Sequence, residues 1–380
     1  MKIAIDISQI VYKTGVSRYT EQLVENLIKI DGKNKYLLFG TSLRQIAYLK
    51  NFQKKFLSTE NVAFKIYPFP IIIFEILFNR LRLIPIEKLI GSFDILHTSD
   101  WIEPKVSSKN VKKITTIHDM VTYLFPATLP KRVLVNQKKR MALVKKESDQ
   151  IITVSETTKQ DVVKFLEVPE EDVKVIYSAA ASNFKPQSEE NIDRVKEKFK
   201  IKTPFILSVG TQEPRKNIPR LIDAFEKINK ENQNITLVLV GKYGWGPSID
   251  PVPNVIQTGF VTEDELTSLY AACRVFVYPS LYEGFGLPIL EAMACGAPVV
   301  TSNNSAMAEI GKDVAILVDP RNEAQMTKAI NFILNLETDN YQKMVRASLD
   351  RARKYSWAKT AKETLLVYRH LYESAEIRQL

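Results

Sequence analysis

A chain of 380 residues is long for one core and suits two domains; 45% hydrophobic and 25% charged, it has the balance of a soluble globular protein. Its two cysteines, Cys273 and Cys295, fall in stretches that read as buried helix, which argues against a disulfide scaffold or a zinc site and for a reducing cytosol. The net charge of +10 asks for an anionic partner, and nucleic acid, an anionic membrane surface and a phosphate-bearing small molecule all fit.

Met1-Lys-Ile-Ala-Ile-Asp6 enters a strand pattern directly, without the features of a signal peptide. Strands are expected at residues 2–8, 35–40, 62–68, 94–98, 112–119, 150–155 and 173–177. Helical spacing, such as that of Tyr19, Leu23, Leu27 and Ile30, alternates with them. The alternation predicts a parallel sheet wrapped by helices, a Rossmann-like N-terminal domain over residues 1–180. Gly15, in Thr14-Gly-Val-Ser-Arg-Tyr19, opens the first helix with a turn suited to phosphate, or serves as an ordinary strand-to-helix turn. His118 closes the strand at 112–119, at the edge where α/β sheets bind ligands, although a lone histidine there is more often structural. His97 ends another strand and is a second candidate; His370 is expected at the surface.

Residues 131–146 hold seven basic side chains and no acidic one, with Val133, Leu134, Val135, Met141, Leu143 and Val144 among them. The pattern suits an amphipathic helix lying on anionic lipid, and equally a solvated helix packed on the sheet by its apolar side. Residues 71–78, Ile-Ile-Ile-Phe-Glu-Ile-Leu-Phe, read as a buried helix or as a surface lip for a lipid-linked acceptor, with burial favoured. The apolar stretch 69–90 is broken by Glu75, Asn79, Arg80, Arg82, Glu87 and Lys88, so it is no simple transmembrane span.

Small residues after Ser178, then Pro186, mark an interdomain linker at residues 181–200. A second domain is expected over residues 201–355, with strands at 205–210, 236–241, 255–261, 274–278, 297–302 and 315–319. Arg215 and Lys216 lie on the loop after its first strand, as a pair able to neutralise a diphosphate or as plain surface charge ahead of the helix at 219–230. Lys242-Tyr-Gly-Trp-Gly246 is a glycine-rich turn with aromatic side chains, and Thr262-Glu-Asp-Glu265 is a capping box for a helix running to Ala272. Glu283 lies on the loop leaving the strand at 274–278, followed by Gly284, Phe285, Gly286 and Leu287. That loop meets a helix start at Pro288, where backbone N–H groups favour anions, and Glu291 sits about one turn inside. Taken alone, the two glutamates are also an ordinary acidic helix start. A last helix, residues 356–380, follows Tyr355-Ser-Trp357.

The run Glu283-Gly-Phe-Gly-Leu-Pro-x-x-Glu-Ala-x-Ala-x-Gly-x-Pro298, with Pro214-Arg-Lys-Asn217 and His118-Asp119, resembles the retaining nucleotide-sugar glycosyltransferases of family 4. The resemblance covers nearly the whole chain and is strongest over residues 208–319. It implies the GT-B fold: α/β, two Rossmann-like domains facing each other across a cleft, with the last helix crossing back to the N-terminal one. Ser17 stands where relatives commonly have a second glycine, and Ser178-Ala179 replaces an Asn-Gly turn.

The same resemblance implies roles. Arg215 and Lys216 grip the donor diphosphate, with Gly15, Gly284, Phe285, Gly286 and Leu287 beside it; Gly259, Phe260 and Val261 meet the nucleotide base. Glu291 accepts from the ribose hydroxyls, Glu283 from the sugar as nucleophile or electrostatic support, and His118 reaches the transferred sugar. The donor would be a GDP- or UDP-sugar and the acceptor a glycan or a lipid-linked glycan, in a mannosyltransferase-like member serving cell-surface polysaccharide. Without an Asp-x-Asp pair or a His/Cys cluster, cations and backbone dipoles are expected in place of a metal, with no cofactor. The expected setting is cytoplasmic, peripheral on the inner face of the membrane through residues 131–146. A GT-B-like nucleotide-sugar epimerase and a non-catalytic sugar-nucleotide-binding scaffold remain alternatives. Nucleic acid is not expected as a partner, since neither a known binding module nor a stacking platform is present.

Overall fold

The computed structural model describes residues 1–231, 234–244, 246 and 250–377. The chain divides into two compact units, residues 1–178 together with 357–380, and residues 179–356.

The first unit is built on seven parallel strands: β1 (Lys2–Asp6), β2 (Lys35–Thr41), β3 (Val62–Tyr67), β4 (Ile95–Thr98), β5 (Lys112–Ile117), β6 (Gln150–Thr153) and β7 (Val173–Val175). They lie in the order β3-β2-β1-β4-β5-β6-β7. Strands such as Ile95–Thr98 and Lys112–Ile117 are buried along their whole length, as a sheet covered on both faces requires. Helix α1 (Gly15–Ile30) connects β1 to β2 and buries Tyr19, Leu23, Val24 and Leu27, spaced for one helical face. Between β3 and β4 the segment 71–81 is α-helical over Ile71–Phe74 and a π-helix over Glu75–Leu81. Its Phe74 and Phe78 join Leu37, Phe39, Leu96 and Ile102 in one core cluster.

Helix α2 (Lys131–Glu147) packs Met141 and Val144 against Ile117, Ile151 and Val162. Of its seven basic residues, Arg140 is turned inward: it is 2% exposed and donates to Thr115 Oγ1 at 2.7 Å and Thr116 O at 3.3 Å. The other six basic residues are exposed, Arg132 pairing with Glu75 and Lys145 with Glu167, so the helix packs on the sheet by its apolar side while the rest of its basic set faces outward.

The second unit opens with α3 (Glu189–Lys198), a stretch expected in the linker, packed on a later helix of the same unit. Its sheet has six parallel strands: β8 (Phe205–Val209), β9 (Thr236–Val240), β10 (Val255–Gly259), β11 (Val275–Tyr278), β12 (Val299–Ser302) and β13 (Ile316–Val318). Their order, β10-β9-β8-β11-β12-β13, is the doubly wound order of nucleotide-binding folds. Helix α4 (Ile218–Glu231) covers one face with Leu221, Ile222, Phe225 and Ile228. Helix α5 (Glu263–Ala272) begins with the capping box read from the sequence: Thr262 N donates to Glu265 Oε2 at 2.9 Å and Glu265 N to Thr262 Oγ1 at 3.3 Å. Helix α6 (Leu287–Ala294) follows β11.

Helix α7 (Trp357–Ile377) belongs to the first unit. Trp357, Ala361, Leu365, Tyr368 and Leu371 form its buried stripe, and Thr360 Oγ1 donates to Tyr177 O at 2.6 Å.

Candidate active site

In the second unit, β8 and β11 are neighbours although β9 and β10 separate them in the chain. At such a reversal the connections leave in opposite directions, so the loops at the two carboxyl ends part and make room for a ligand. Residues 210–217 follow β8 there, and residues 279–286 follow β11.

The loops are joined at their backbones. Asn217, in the left-handed region at φ +60°, donates through Nδ2 to Pro279 O (3.1 Å) and Pro320 O (2.7 Å), and Leu281 N donates to Arg215 O at 2.8 Å. Gly241 sits so close behind the first loop that a Cβ would stand 2.0 Å from Gly210 O, so no other residue fits.

Their side chains converge on Glu283. Arg215 Nη1 lies 2.8 Å from Glu283 Oε2 and Lys216 Nζ lies 2.7 Å from Glu283 Oε1. Lys216 Nζ also donates to the Tyr278 hydroxyl at 2.6 Å, while Arg215 donates to Tyr282 O at 2.5 Å and pairs with Glu213. All three charged side chains are about nine-tenths buried. Burial pushes the Glu283 carboxyl up, and the charges of Arg215 and then Lys216, with their hydrogen bonds, more than offset it and hold its pKa at about 2. Lys216 is lowered, by burial first, against the pull of Glu283. The cluster is thus a carboxylate flanked by two cations, Arg215 and Lys216, and its loop is further secured where Glu283 N donates to Ser305 Oγ at 3.1 Å.

The glycine run beside it is buried, with Gly286 at φ +100° as the residue capping α6. Phe285 packs edge-on to Tyr355, with ring centroids 6.3 Å apart, and Leu287 begins the helix. Glu291 is 2% exposed and receives the Tyr270 hydroxyl on Oε2 at 3.1 Å. Gly259, at φ +69°, ends β10; Val261 is buried, and Phe260 is 62% exposed under the Lys242 ammonium, 5.4 Å from its ring centroid. Trp245, on the glycine-rich turn, lies outside the described residues. At this same strand edge Tyr243 OH and Gln212 Nε2 both donate to Gln257 Oε1, at 3.1 and 3.2 Å. Gln212, Gln257, Glu213 and Tyr278 were not singled out from sequence; Gln212, Glu213 and Tyr278 carry a signal in their position at or just after a strand's carboxyl end, whereas Gln257 lies within β10.

In the first unit Gly15 is exposed as the first residue of α1. Ser17 is buried and occupied: its Oγ donates to Gln9 O at 2.6 Å and accepts from Thr14 N at 3.1 Å, fastening the helix start. His118 packs edge-on against Tyr19, centroids 4.7 Å apart, and its enclosed Nε2 has no hydrogen-bond partner among the described residues. Burial, then the charges of Arg140 and His97, lower its pKa to about 3, so it is a neutral imidazole. His97 is spoken for on both sides, with Tyr368 OH 2.5 Å from Nδ1 and Thr116 Oγ1 2.8 Å from Nε2, and is structural. His370 is exposed. Asp6 ends β1 fully buried; Ser8 donates to its Oδ1 by N–H and hydroxyl at 2.9 and 2.6 Å, and burial, outweighing these bonds, raises its pKa to about 6. Asp100, just past β4, is raised to about 7, by burial first, against the pull of Arg140. Among the described residues no group of three or more His, Cys, Asp or Glu is placed to hold a metal ion.

Residues 13–180 match the family model described as Glycosyltransferase Family 4, and residues 189–351 match the one described as Glycosyl transferases group 1. Two doubly wound sheets with such loops at their carboxyl edges are those of an α/β glycosyltransferase of the GT-B class. The chain belongs to glycosyltransferase family 4, group 1, and is an enzyme. It is 31% identical over 273 residues to O-antigen chain mannosyltransferase B of Escherichia coli, covering 68% of this chain and 71% of that one. It is 30% identical over 303 residues to the serotype-specific mannosyltransferase WbdA of Escherichia coli, covering 73% of this chain but only 36% of WbdA. In fold it is similar to Anabaena Alr3699/HepE in complex with UDP and glucose, with a TM-score of 0.70 at 16% identity over 97% of this chain and 99% of that one.

Proposed function

We propose that this glycosyltransferase moves a hexose, mannose before glucose, from a nucleotide diphosphate sugar to a glycan or lipid-linked acceptor in cell-surface polysaccharide synthesis, with retention and without a metal. The observation that carries the reading is Glu283 held between Arg215 and Lys216 at the point where the strand order reverses. The mannosyltransferases among the relatives support the sugar, and the UDP and glucose bound by the Anabaena neighbour support a nucleotide-sugar donor.

In this reading the diphosphate lies against Arg215, Lys216 and the backbone of Gly284, Phe285, Gly286 and Leu287, with Gly15 contributing from its helix start. Negative charge grows on the leaving phosphate as the bond to the anomeric carbon breaks, and the fixed cations lower that barrier. The acceptor hydroxyl attacks from the same face and gives its proton to the departing phosphate, so one C–O bond breaks and one forms with configuration kept. Glu283, ionised throughout, supports positive charge at the anomeric carbon; Glu291 takes the ribose, Phe260 and Val261 beside Gly259 take the base, and neutral His118 hydrogen-bonds the sugar.

Calorimetry with UDP-, GDP- and ADP-sugars in the presence of a chelator tests this. One nucleotide class should bind to the wild type and be lost in Lys216→Ala, with partial return in Lys216→Arg. Binding of none, or binding only after a divalent metal is restored, overturns the metal-free reading.

A further inference from the structure

Seventeen large apolar side chains stand exposed among the described residues, and seven of them fall within residues 69–84. Ile72, Ile73 and Ile76 project from one side of the helical segment whose opposite side plants Phe74 and Phe78 in the core. The π-turn continues this ridge: Arg82 N donates to Leu77 O at 2.9 Å, five residues back, and the wider turn keeps Leu81 on the side of Ile76. Phe69, Leu83 and Ile84 flank the ridge, and the seven range from 38% to 73% exposed. The segment is no loose loop. Arg82 turns the chain in the left-handed region, donating to Phe78 O and Glu103 O at 3.1 Å each and pairing with Glu147. Monomers in water seldom keep so contiguous an apolar surface uncovered.

The charge around the ridge has one sign. Its acids are engaged: Glu75 is buried and holds Arg132 at 2.8 and 3.0 Å, and Glu87 accepts from Ser107 at 2.7 and 2.9 Å. Lys65, Arg80 and Lys88 are exposed. Beyond Ile86, whose N–H bonds Lys105 O at 3.0 Å, a pocket is lined by Arg82, Lys105, Lys109, Lys113 and Lys146. The acids in its wall, Glu147 and Asp149, are already paired with Arg82, Lys113 and Lys112. Among the described residues no ion pair is found for Lys105, Lys109 or Lys146.

We propose that residues 69–84 are the face by which this chain lies on an anionic phospholipid bilayer, the isoleucine and leucine ridge entering the acyl boundary and the lysine-lined pocket taking lipid phosphate. A basic rim repels a second copy of itself, whereas an anionic headgroup layer complements both rim and ridge. The inference deepens the reading of a lipid-linked acceptor and moves the contact from α2, whose Arg140, Met141 and Val144 are buried, to the segment packed beside it.

The test is co-sedimentation with vesicles of phosphatidylcholine alone, or of equal parts phosphatidylcholine and phosphatidylglycerol. The wild type should sediment with the anionic vesicles only. Ile72→Ser combined with Ile76→Ser and Leu83→Ser should lower the bound fraction roughly tenfold, and Lys105→Glu with Lys109→Glu should also flatten its salt dependence. Since all these positions are exposed, circular dichroism and nucleotide-sugar calorimetry should be unchanged in the same samples. Failure of the wild type to bind, undiminished binding by the serine variant, or a wild-type dimer that the serine changes dissociate would each overturn the proposal. Vesicle binding without any donor binding would instead sink the transferase chemistry proposed above and leave this surface standing.

Discussion

Lys216 and Glu283, 67 residues apart in the chain, meet at 2.7 Å on loops from adjacent strands. Two charges buried together in this way depend on each other far more than either depends on water. Chemical denaturation of Lys216→Met, Glu283→Gln and the double variant should show this. Each single change is expected to cost about 2–4 kcal/mol, and the double change clearly less than their sum, because it leaves no buried charge short of a partner. Additive losses would mean that the pair is held apart in solution.

Glu283 also sets an acid limit. Its pKa in the folded chain, about 2, lies below the ordinary 4.5, so the stability it adds is whole above 4.5 and is lost as pH falls from there through 2. Thermal melts between pH 5 and 2 should fall more steeply for the wild type than for Glu283→Gln. In transfer assays with any competent donor, the same variant should lose roughly a hundredfold or more in kcat.

Asp6 works in the opposite sense. Its pKa is raised from 3.8 to about 6, so the fold loses stability as pH climbs through that interval and stays lower above it. Asn at this position keeps an oxygen for the Ser8 N–H and hydroxyl and removes the charge. Asp6→Asn should therefore be more stable than the wild type at pH 8, by on the order of 2–3 kcal/mol, and little different at pH 4. Equal melting temperatures at both pH values would show that Asp6 is not enclosed.

Tyr368→Phe isolates the anchor of the last helix. Removing the hydroxyl leaves His97 Nδ1 without its 2.5 Å partner inside the core, at an expected cost of about 1–3 kcal/mol. Hydrogen exchange should quicken along α7 before it quickens in the sheet of the same unit.

The sequence carried the strands and helices because their periods differ: fully apolar runs such as Val275–Tyr278 and the face of α4 leave little choice. Glu283, Arg215 and Lys216 could be singled out because turn residues and strand ends fix the loops that carry them. Ser17 was legible only as a departure from relatives; its work, bonding Gln9 and Thr14, depends on a turn that spacing does not reveal. Arg140 looked like its six basic neighbours, and only the packing of Met141 and Val144 turns it inward toward Thr115. Ile72, Ile73 and Ile76 read as core for the converse reason: hydrophobicity shows that a residue avoids water, while what it avoids water against is decided by the surrounding fold. Tyr278 stands at a strand end, but its bond from Lys216, 62 residues away, exists only because the fold brings the two together.

Helix α7 is made after the whole of residues 179–356, yet it belongs with residues 1–178. Its Trp357 packs on Tyr19, centroids 5.7 Å apart, and Tyr19 in turn packs on His118. A nascent chain therefore carries an unfinished first unit while the second, continuous in sequence, is already able to fold. Excising residues 179–356 cuts the chain only where it passes between units, but ending it at 178 strips the shared wall from Tyr19 and His97. A chain that stops within residues 179–356 is released with Tyr19, the ring that His118 packs against, lacking its Trp357 neighbour.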